Sequence, residues 1–418
     1  MGRIRGWWLA ALFLISLPAC ALQEPAPEAA GKLPDAAEID SILRQLSEIT
    51  GFRIRRHLPF QLITREQVNA YVKNQIRHSV RPKDIYAEEL SLKKLGFVPP
   101  NFDLRKTTID LLTEQAAAFY DFHQKKLFIS DWAASTMRDE ALVHELAHAL
   151  ADQNFNIEKY LNKDPTDAEE SLARQTVVEG QASWLTIEFA ARQAGKTLTD
   201  PGVARQYFQR QPNEDDTSYP VFSQAPLYLR ATMLFPYVEG EEFQQAVVAR
   251  DGQSAFSQVF TKPPVSTSQI LHPGRYFSGT KPEVPDLPKP SANMKPAVEG
   301  VFGEEDVEVL LRQYTTAAIA SGLAPEMKGG HYRVDAERRV PKNRDRRTSL
   351  IFATEWADES SATAFLNAYS TVLEKKWKQV AKGDQDATHI SGHSEDGYYR
   401  VDRKGNLVLS REGFPDKL

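Results

Sequence analysis

The sequence predicts an α+β fold, a mainly helical body followed by a small α+β domain. Three observations carry this. Two long stretches, near residues 139–153 and 167–192, read as helices with no proline to interrupt them, the first with apolar side chains around most of its circumference. A run with Pro282, Pro285, Pro288, Pro290 and Pro296 breaks the chain at 281–299. Beyond that break, helix-period segments alternate with short strand-like runs.

The elements follow in chain order. Arg3 and Arg5 precede an apolar core from Gly6 to Leu17 that is too brief to span a bilayer, so 1–20 reads as an export leader. It ends at Cys20, the sole cysteine, which rules out an intrachain disulfide. Residues 21–40 are rich in Ala, Pro and Glu and read as an extended tether. The main domain is expected over 41–280. Ile42, Leu43, Leu46 and Ile49 predict an amphipathic helix near its start. Residues 117–129 read as a hairpin, two apolar runs around turn residues. A helix capped by Ser135 or Thr136, with Asp139 and Glu140 in its first turns, runs to about Gln153. Helices with loops continue to Tyr276, although helix signals are poor after Pro273.

The stretch 281–299 is expected to be an interdomain linker. In 300–418 we expect a helix over 307–320 and a turn at Gly329-Gly330-His331-Tyr332 leading into a strand. A strand over 348–354, a helix over 358–380 and a closing hairpin around Lys404-Gly405-Asn406 complete it. About 120 residues is an ordinary domain size.

A chain of 418 residues has room for two or three domains. The net charge of −5 becomes more negative when the leader arginines are discounted, which argues against nucleic acid as a partner and against a polybasic membrane patch.

The chemistry concentrates in Leu142-Val143-His144-Glu145-Leu146-Ala147-His148-Ala149-Leu150. Histidines at i and i+4 lie on one helical face a turn apart, so His144 and His148 can reach one metal ion. Glu145 follows the first of them directly and projects toward the place of an attacking water. Two imidazoles and a carboxylate inside an apolar helix are costly to bury without a partner, and a divalent cation supplies one. The alternative is a helix with two hydrogen-bonded core histidines and a salt-bridged Glu145. A His at 154 would complete one well-known continuation of this motif, but Ala151 and Asn154 exclude it. The third ligand is sought instead on the next helix, where Glu179 stands 31 positions after His148 among Val178, Gly180 and Ala182. Asp167, Glu169 and Glu170 compete, but they sit near the helix start, where acidic residues complement the dipole. Asp152, one turn beyond His148, either orients a ligand imidazole or bonds a nearby amide or arginine. His123 at the hairpin tip and His57 in an Arg-Arg-His run are expected in solvent. His331, His389 and His393 have no partner at ligand spacing.

His144-Glu145-x-x-His148 followed on a separate helix by Glu179-Gly180-x-Ala182 resembles the gluzincin branch of zinc metallopeptidases, the thermolysin-like group. The longer strings HELAHALADQNF and VVEGQA resemble a set of bacterial envelope proteins with that peptidase-like core, over roughly residues 110 to 280. The resemblance implies a zincin-like domain with Zn2+ on His144, His148 and Glu179. It implies Glu145 as general base, a protein or peptide substrate, and a strand along the cleft just before the motif helix, where the hairpin falls. It also implies a His or Tyr from beyond the ligands that stabilises the oxyanion. His272 is the first candidate, with Tyr276 and Tyr237 behind it. Iron and manganese remain open as metals, and a non-catalytic scaffold or a metal-dependent cell-wall amidase remains open as a function. Leu17-Pro18-Ala19-Cys20 resembles the lipobox of bacterial lipoproteins, which implies an exported protein held at the membrane by a lipidated Cys20. Pro18 departs from that pattern, and Ala19-Cys20-Ala21 also fits ordinary signal cleavage to a periplasmic or secreted form.

Overall fold

The computed structural model describes residues 34–79, 81–115, 118–131, 135–162, 168–208, 219–340 and 345–415. The leader, most of the tether, Asp167 and the side chains of Ser135 and Thr136 lie outside the described residues.

Helix α1 (Ala36–Thr50) buries Ile39, Ile42, Leu43, Leu46 and Ile49 along one stripe. Asp35 caps it by accepting from the Glu38 amide at 3.0 Å, and Gly51 ends it at φ 74°, where a β-carbon is disfavoured. The helix therefore takes up the last residues of the expected tether. Strand β1 (Phe60–Ile63), α2 (Arg65–Ser79), α3 (Pro82–Leu95) and α4 (Leu104–Gln115) lead to the hairpin β2 (Ala118–Asp121) and β3 (Lys126–Ser130). The strands form a three-stranded sheet in the order β1-β3-β2, with β1 parallel and β2 antiparallel to β3. Against it lies the motif helix α5 (Ser135–Phe155), which ends where expected and is followed by the short α6 (Ile157–Leu161).

Helix α7 (Ala168–Gln193) packs on α5, and after α8 (Pro201–Phe208) and α9 (Pro220–Gln224) comes α10 (Leu227–Asp251). Helices α7 and α10 run side by side in the same direction, since Gly180 meets Gly240 and, further along both, Trp184 Nε1 donates to Gln245 Oε1 at 2.7 Å. Helices α11 (Ala255–Thr261), α12 (Thr267–Leu271) and α13 (Pro273–Ser278) close this half. Helix α13 corrects the expectation of irregular chain after Pro273. Proline at the first helical position fits because its missing N–H is one that the helix would leave unpaired anyway.

The remaining chain builds a seven-stranded antiparallel sheet in the order β4-β5-β6-β10-β9-β8-β7. In sequence these are β4 (Met294–Phe302), α14 (Glu304–Tyr314), α15 (Ala317–Leu323), β5 (Met327–Glu337), β6 (Thr348–Trp356) and α16 (Glu359–Lys376). Strands β7 (Val380–Gln385), β8 (His389–Ser394), β9 (Gly397–Lys404) and β10 (Leu407–Phe414) follow.

Three expectations need correction here. Gly329 to Tyr332 lie inside β5, with Gly330 paired to Phe302 and Thr354, so this is ladder and not turn. The helix expected over 307–320 is two helices, α14 and α15. The linker expected at 281–299 ends early, because Met294 to Glu299 belong to β4, which accommodates Pro296 through a register shift between Pro296 and Val298. The rest of it is pinned to β5: the Glu283 amide donates to Lys328 O (2.9 Å), His331 Nδ1 to Pro285 O (2.9 Å) and Arg333 to Pro288 O (2.7 Å).

A single cluster of buried apolar residues runs from Ile39 to Val408 through both halves. Polar contacts tie them as well. Lys94 of α3 reaches Asp396 at 2.7 Å, and the Tyr228 hydroxyl donates to Asp306 at 2.9 Å. No described helix is long and apolar enough to cross a membrane.

Candidate metal centre

Helix α5 presents His144 and His148 on the face that meets α7, and α7 answers with Glu179. His144 Nε2 lies 3.1 Å from Glu179 Oε2, His148 Nε2 lies 3.3 Å from the same oxygen, and the two Nε2 atoms are 3.0 Å apart. All three residues are buried, and among the described residues they form the one group of His, Cys, Asp and Glu side chains whose donor atoms converge in this way. The donor set fits a divalent metal. Tetrahedral ligands about 2.0–2.1 Å from zinc stand roughly 3.3 Å from one another, close to the three separations here. An octahedral face would have similar edges, so spacing alone leaves iron and manganese open. Hydrogen bonding by itself serves the cluster poorly. Three ring and carboxylate atoms point at one spot, and among the described residues His144 Nδ1 finds no hydrogen-bond partner although it is buried.

The charges agree. Burial alone would raise the Glu179 carboxyl, but the imidazoles of His148 and His144 outweigh it and hold the group down to about 2. His148 is shifted the other way: burial opposes its charging, yet Glu179 raises it overall. Glu179 is therefore ionised and ready to ligate, whereas His148 would give up a proton for a metal to bind, since a ligand imidazole is neutral.

Glu145 lies buried one residue beyond His144, and its Oε2 accepts the main-chain N–H of Tyr120, on β2, at 2.5 Å. Thus the hairpin does lie against the motif helix. Among the described residues Asp152 bonds no imidazole. Its Oδ1 accepts from the Ile157 amide (2.9 Å) and Lys125 Nζ (3.0 Å), and its Oδ2 accepts from the Tyr120 hydroxyl (2.9 Å) and Arg56 (3.5 Å).

Of the three oxyanion candidates, the structure brings Tyr237 to the cluster. Its ring centroid is 6.0 Å from that of His144, and the residue is buried on α10 directly after Pro236. Among the described residues no hydrogen bond, ion pair or ring contact joins His272 to the cluster. His272 Nε2 lies 2.7 Å from Glu304 Oε1, beside the Arg275–Glu304 ion pair, where α13 meets α14. The Tyr276 hydroxyl donates to Lys262 O. His57 and His123 are exposed, as expected.

The competing carboxylates are occupied elsewhere. Glu170 pairs with Arg174 at 2.6 Å. Glu169 accepts from both the amide and the hydroxyl of Thr267 (2.7 and 2.8 Å) and packs against Gly303, so its charge sits at the starts of α12 and α14. Sequence reasoning gave Tyr120 no role, and neither spacing nor composition marks it, because its two bonds to α5 span 25 and 32 residues.

A family model described as a domain of unknown function (DUF8575) matches residues 297–417, which is the seven-stranded sheet with its helices. No curated protein and no solved structure matches the chain.

Proposed function

We propose that this protein is a zinc-dependent peptide-bond hydrolase built on a gluzincin-like core, with its catalytic centre at His144, His148, Glu179 and Glu145. One observation carries the reading: His144 Nε2, His148 Nε2 and Glu179 Oε2 converge within 3.0–3.3 Å of one another while Glu145 stands beside them on the same helix. The zincin-like assignment is supported by a motif helix packed against a small sheet whose last hairpin precedes it, and by a third donor from a separate helix.

His144, His148 and Glu179 would hold the metal, which supplies Lewis acidity toward a carbonyl and makes water nucleophilic near neutral pH. Glu145 takes the proton of the attacking water and passes it to the departing nitrogen. The Tyr120 N–H keeps one oxygen of that carboxylate in place. Tyr237, whose ring lies 6.0 Å from that of His144, is the residue to which this reading assigns donation to negative charge developing on the carbonyl oxygen. Export and anchoring through Cys20 complete the proposal and place the substrate among proteins or peptides of the cell envelope.

The test is metal content and turnover of the same preparations. The wild type should carry close to one zinc per chain and cleave casein. Glu145→Gln should keep the zinc and lose about 10²–10⁴-fold in rate. His144→Ala should lose both. A well-folded wild type that takes up no metal would sink the reading, and cleavage of purified peptidoglycan without cleavage of casein would turn it into a cell-wall amidase.

A further inference from the structure

Glu145, His148 and Asp152 follow one another along one side of α5, and about 10 Å of helix separates the first from the last. Tyr120 touches both ends of that span. Its main-chain N–H donates to Glu145 Oε2 at 2.5 Å, and its hydroxyl donates to Asp152 Oδ2 at 2.9 Å. The residue is buried, its ring stands edge-on to Phe122 at 5.2 Å, and Phe122 in turn stands edge-on to His148 at 5.8 Å. We infer that Tyr120 is a positioning residue for Glu145: Asp152 anchors its phenol, and that anchor fixes where its N–H holds the Glu145 carboxylate. The inference rests on the hydrolase reading given above.

The far end of the brace is built with care. Asp152 is a buried carboxylate, and its other partners are Lys125 Nζ, Arg56 and the Ile157 amide. Lys125, in the β2–β3 turn, sits at φ 55°, a left-handed conformation usually given to Gly or Asn. A lysine there accepts backbone strain, and its ammonium lands 3.0 Å from Asp152 Oδ1. A hairpin needed only for sheet pairing would be served better by glycine at this turn. The burial of Tyr120 and the negative charge of Asp152 both raise its phenol, so it stays a proton donor to Asp152 throughout the neutral range. A general base works only when its carboxylate is held within a fraction of an ångström of its productive place. The brace supplies that restraint from a strand, without any side chain contacting the reacting atoms.

The experiment uses the zinc-loaded full chain with fluorescent casein as substrate. Tyr120→Phe keeps the ring and the main-chain N–H but loses the anchor. It should lower kcat about 10- to 100-fold, the range expected for misplacing a catalytic group, with KM and zinc content unchanged. Placed in a Glu145→Gln background, Tyr120→Phe should cause no further loss, because both act through one carboxylate. Hydrogen exchange at amide 120 should be slow in the wild type and faster in Tyr120→Phe and in Glu145→Ala. A wild-type kcat in Tyr120→Phe, an additional loss in the Glu145→Gln background, or unchanged exchange at amide 120 in Glu145→Ala would each overturn the inference. If Tyr120→Phe does not fold, Lys125→Gly relieves the turn and removes one partner of Asp152. It should show a smaller loss confined to kcat, and full kcat there counts against the brace. If the zinc-loaded wild type cleaves nothing, the hydrolase reading falls, and amide exchange still decides whether Tyr120 holds Glu145.

Discussion

At the scale of single residues, what separates a candidate ligand from an ordinary helical glutamate is the company it keeps. Glu170 lies four residues before Arg174 on the same helix and finds its partner locally. Glu179 faces two imidazoles from another helix. The same contrast divides the oxyanion candidates. His272 is bound to Glu304, which also holds Arg275, so its work is at the joint between α13 and α14. Tyr237 lies against His144. Tyr237→Phe should therefore keep its zinc and lose about 10²–10³-fold in kcat, the usual cost of one oxyanion donor. His272→Ala should leave kcat within a few-fold. Steady-state kinetics with metal analysis on both variants decides this, and the opposite ranking would return the role to His272.

At the scale of elements, the site depends on how closely α7 approaches α10. A β-carbon on Gly180 would overlap the backbone of Gly240, and one on Gly240 would stand 2.7 Å from Gly180 Cα and from the Thr176 carbonyl. Two main chains meet there, and neither can yield as a flexible side chain would. Glu179 is the neighbour of this contact on one helix, and Tyr237 lies a turn away on the other. Gly180→Ala should destabilise the fold by about 1–3 kcal/mol, as overpacking does, and weaken zinc binding. Gly274→Ala, with nothing within 4 Å, should do neither. Urea titration and zinc competition measure the two effects.

The joint between α10 and α14 has its own signature. Burial first, then Glu242 and Glu308, push Glu239 up to about 7, while burial and the same kind of crowding raise Glu305. A carboxyl whose pKa is raised on folding binds its proton more tightly in the folded chain. Its stabilising contribution is full below the unfolded value of about 4.5 and is lost as pH climbs through about 7. The melting temperature of the wild type relative to Glu239→Gln should therefore fall between pH 5 and 7. A flat difference would show that Glu239 ionises freely.

For the whole molecule, one apolar core links the helical half to the sheet that matches the domain of unknown function. Lys94 with Asp396 and Tyr228 with Asp306 cross between the halves, and Glu169 of α7 packs against Gly303. The proline-rich stretch is a strap fastened along β5, so it does not leave the sheet free to unfold alone. Calorimetry should accordingly record a single cooperative transition. Two transitions, with the sheet melting apart from the candidate metal centre, would mean that the core is divided.

The sequence by itself determined what is local. An i,i+4 pair of histidines with a glutamate between them is a statement about one helix, and residues 135–155 form that helix. The stripe of Ile39, Ile42, Leu43, Leu46 and Ile49, and the turn at Lys404-Gly405-Asn406, likewise follow from periods and turn residues within a few positions. That Glu179 would join the two histidines was legible because the choice among four carboxylates turned on their immediate neighbours. What only the tertiary structure decided involves groups far apart in the chain. Tyr120 reaches Glu145 and Asp152 across 25 and 32 residues, Tyr237 meets His144, and Glu169 caps a helix that begins 98 residues later. Proline spacing could mark 281–299 as irregular, but it could not tell a free linker from a strap, because the acceptors in that stretch are met by donors that β5 brings from more than forty residues away. Local periodicity fixes which face of an element is apolar. Which faces then meet is settled by packing the whole chain, and that packing is what assembles the centre.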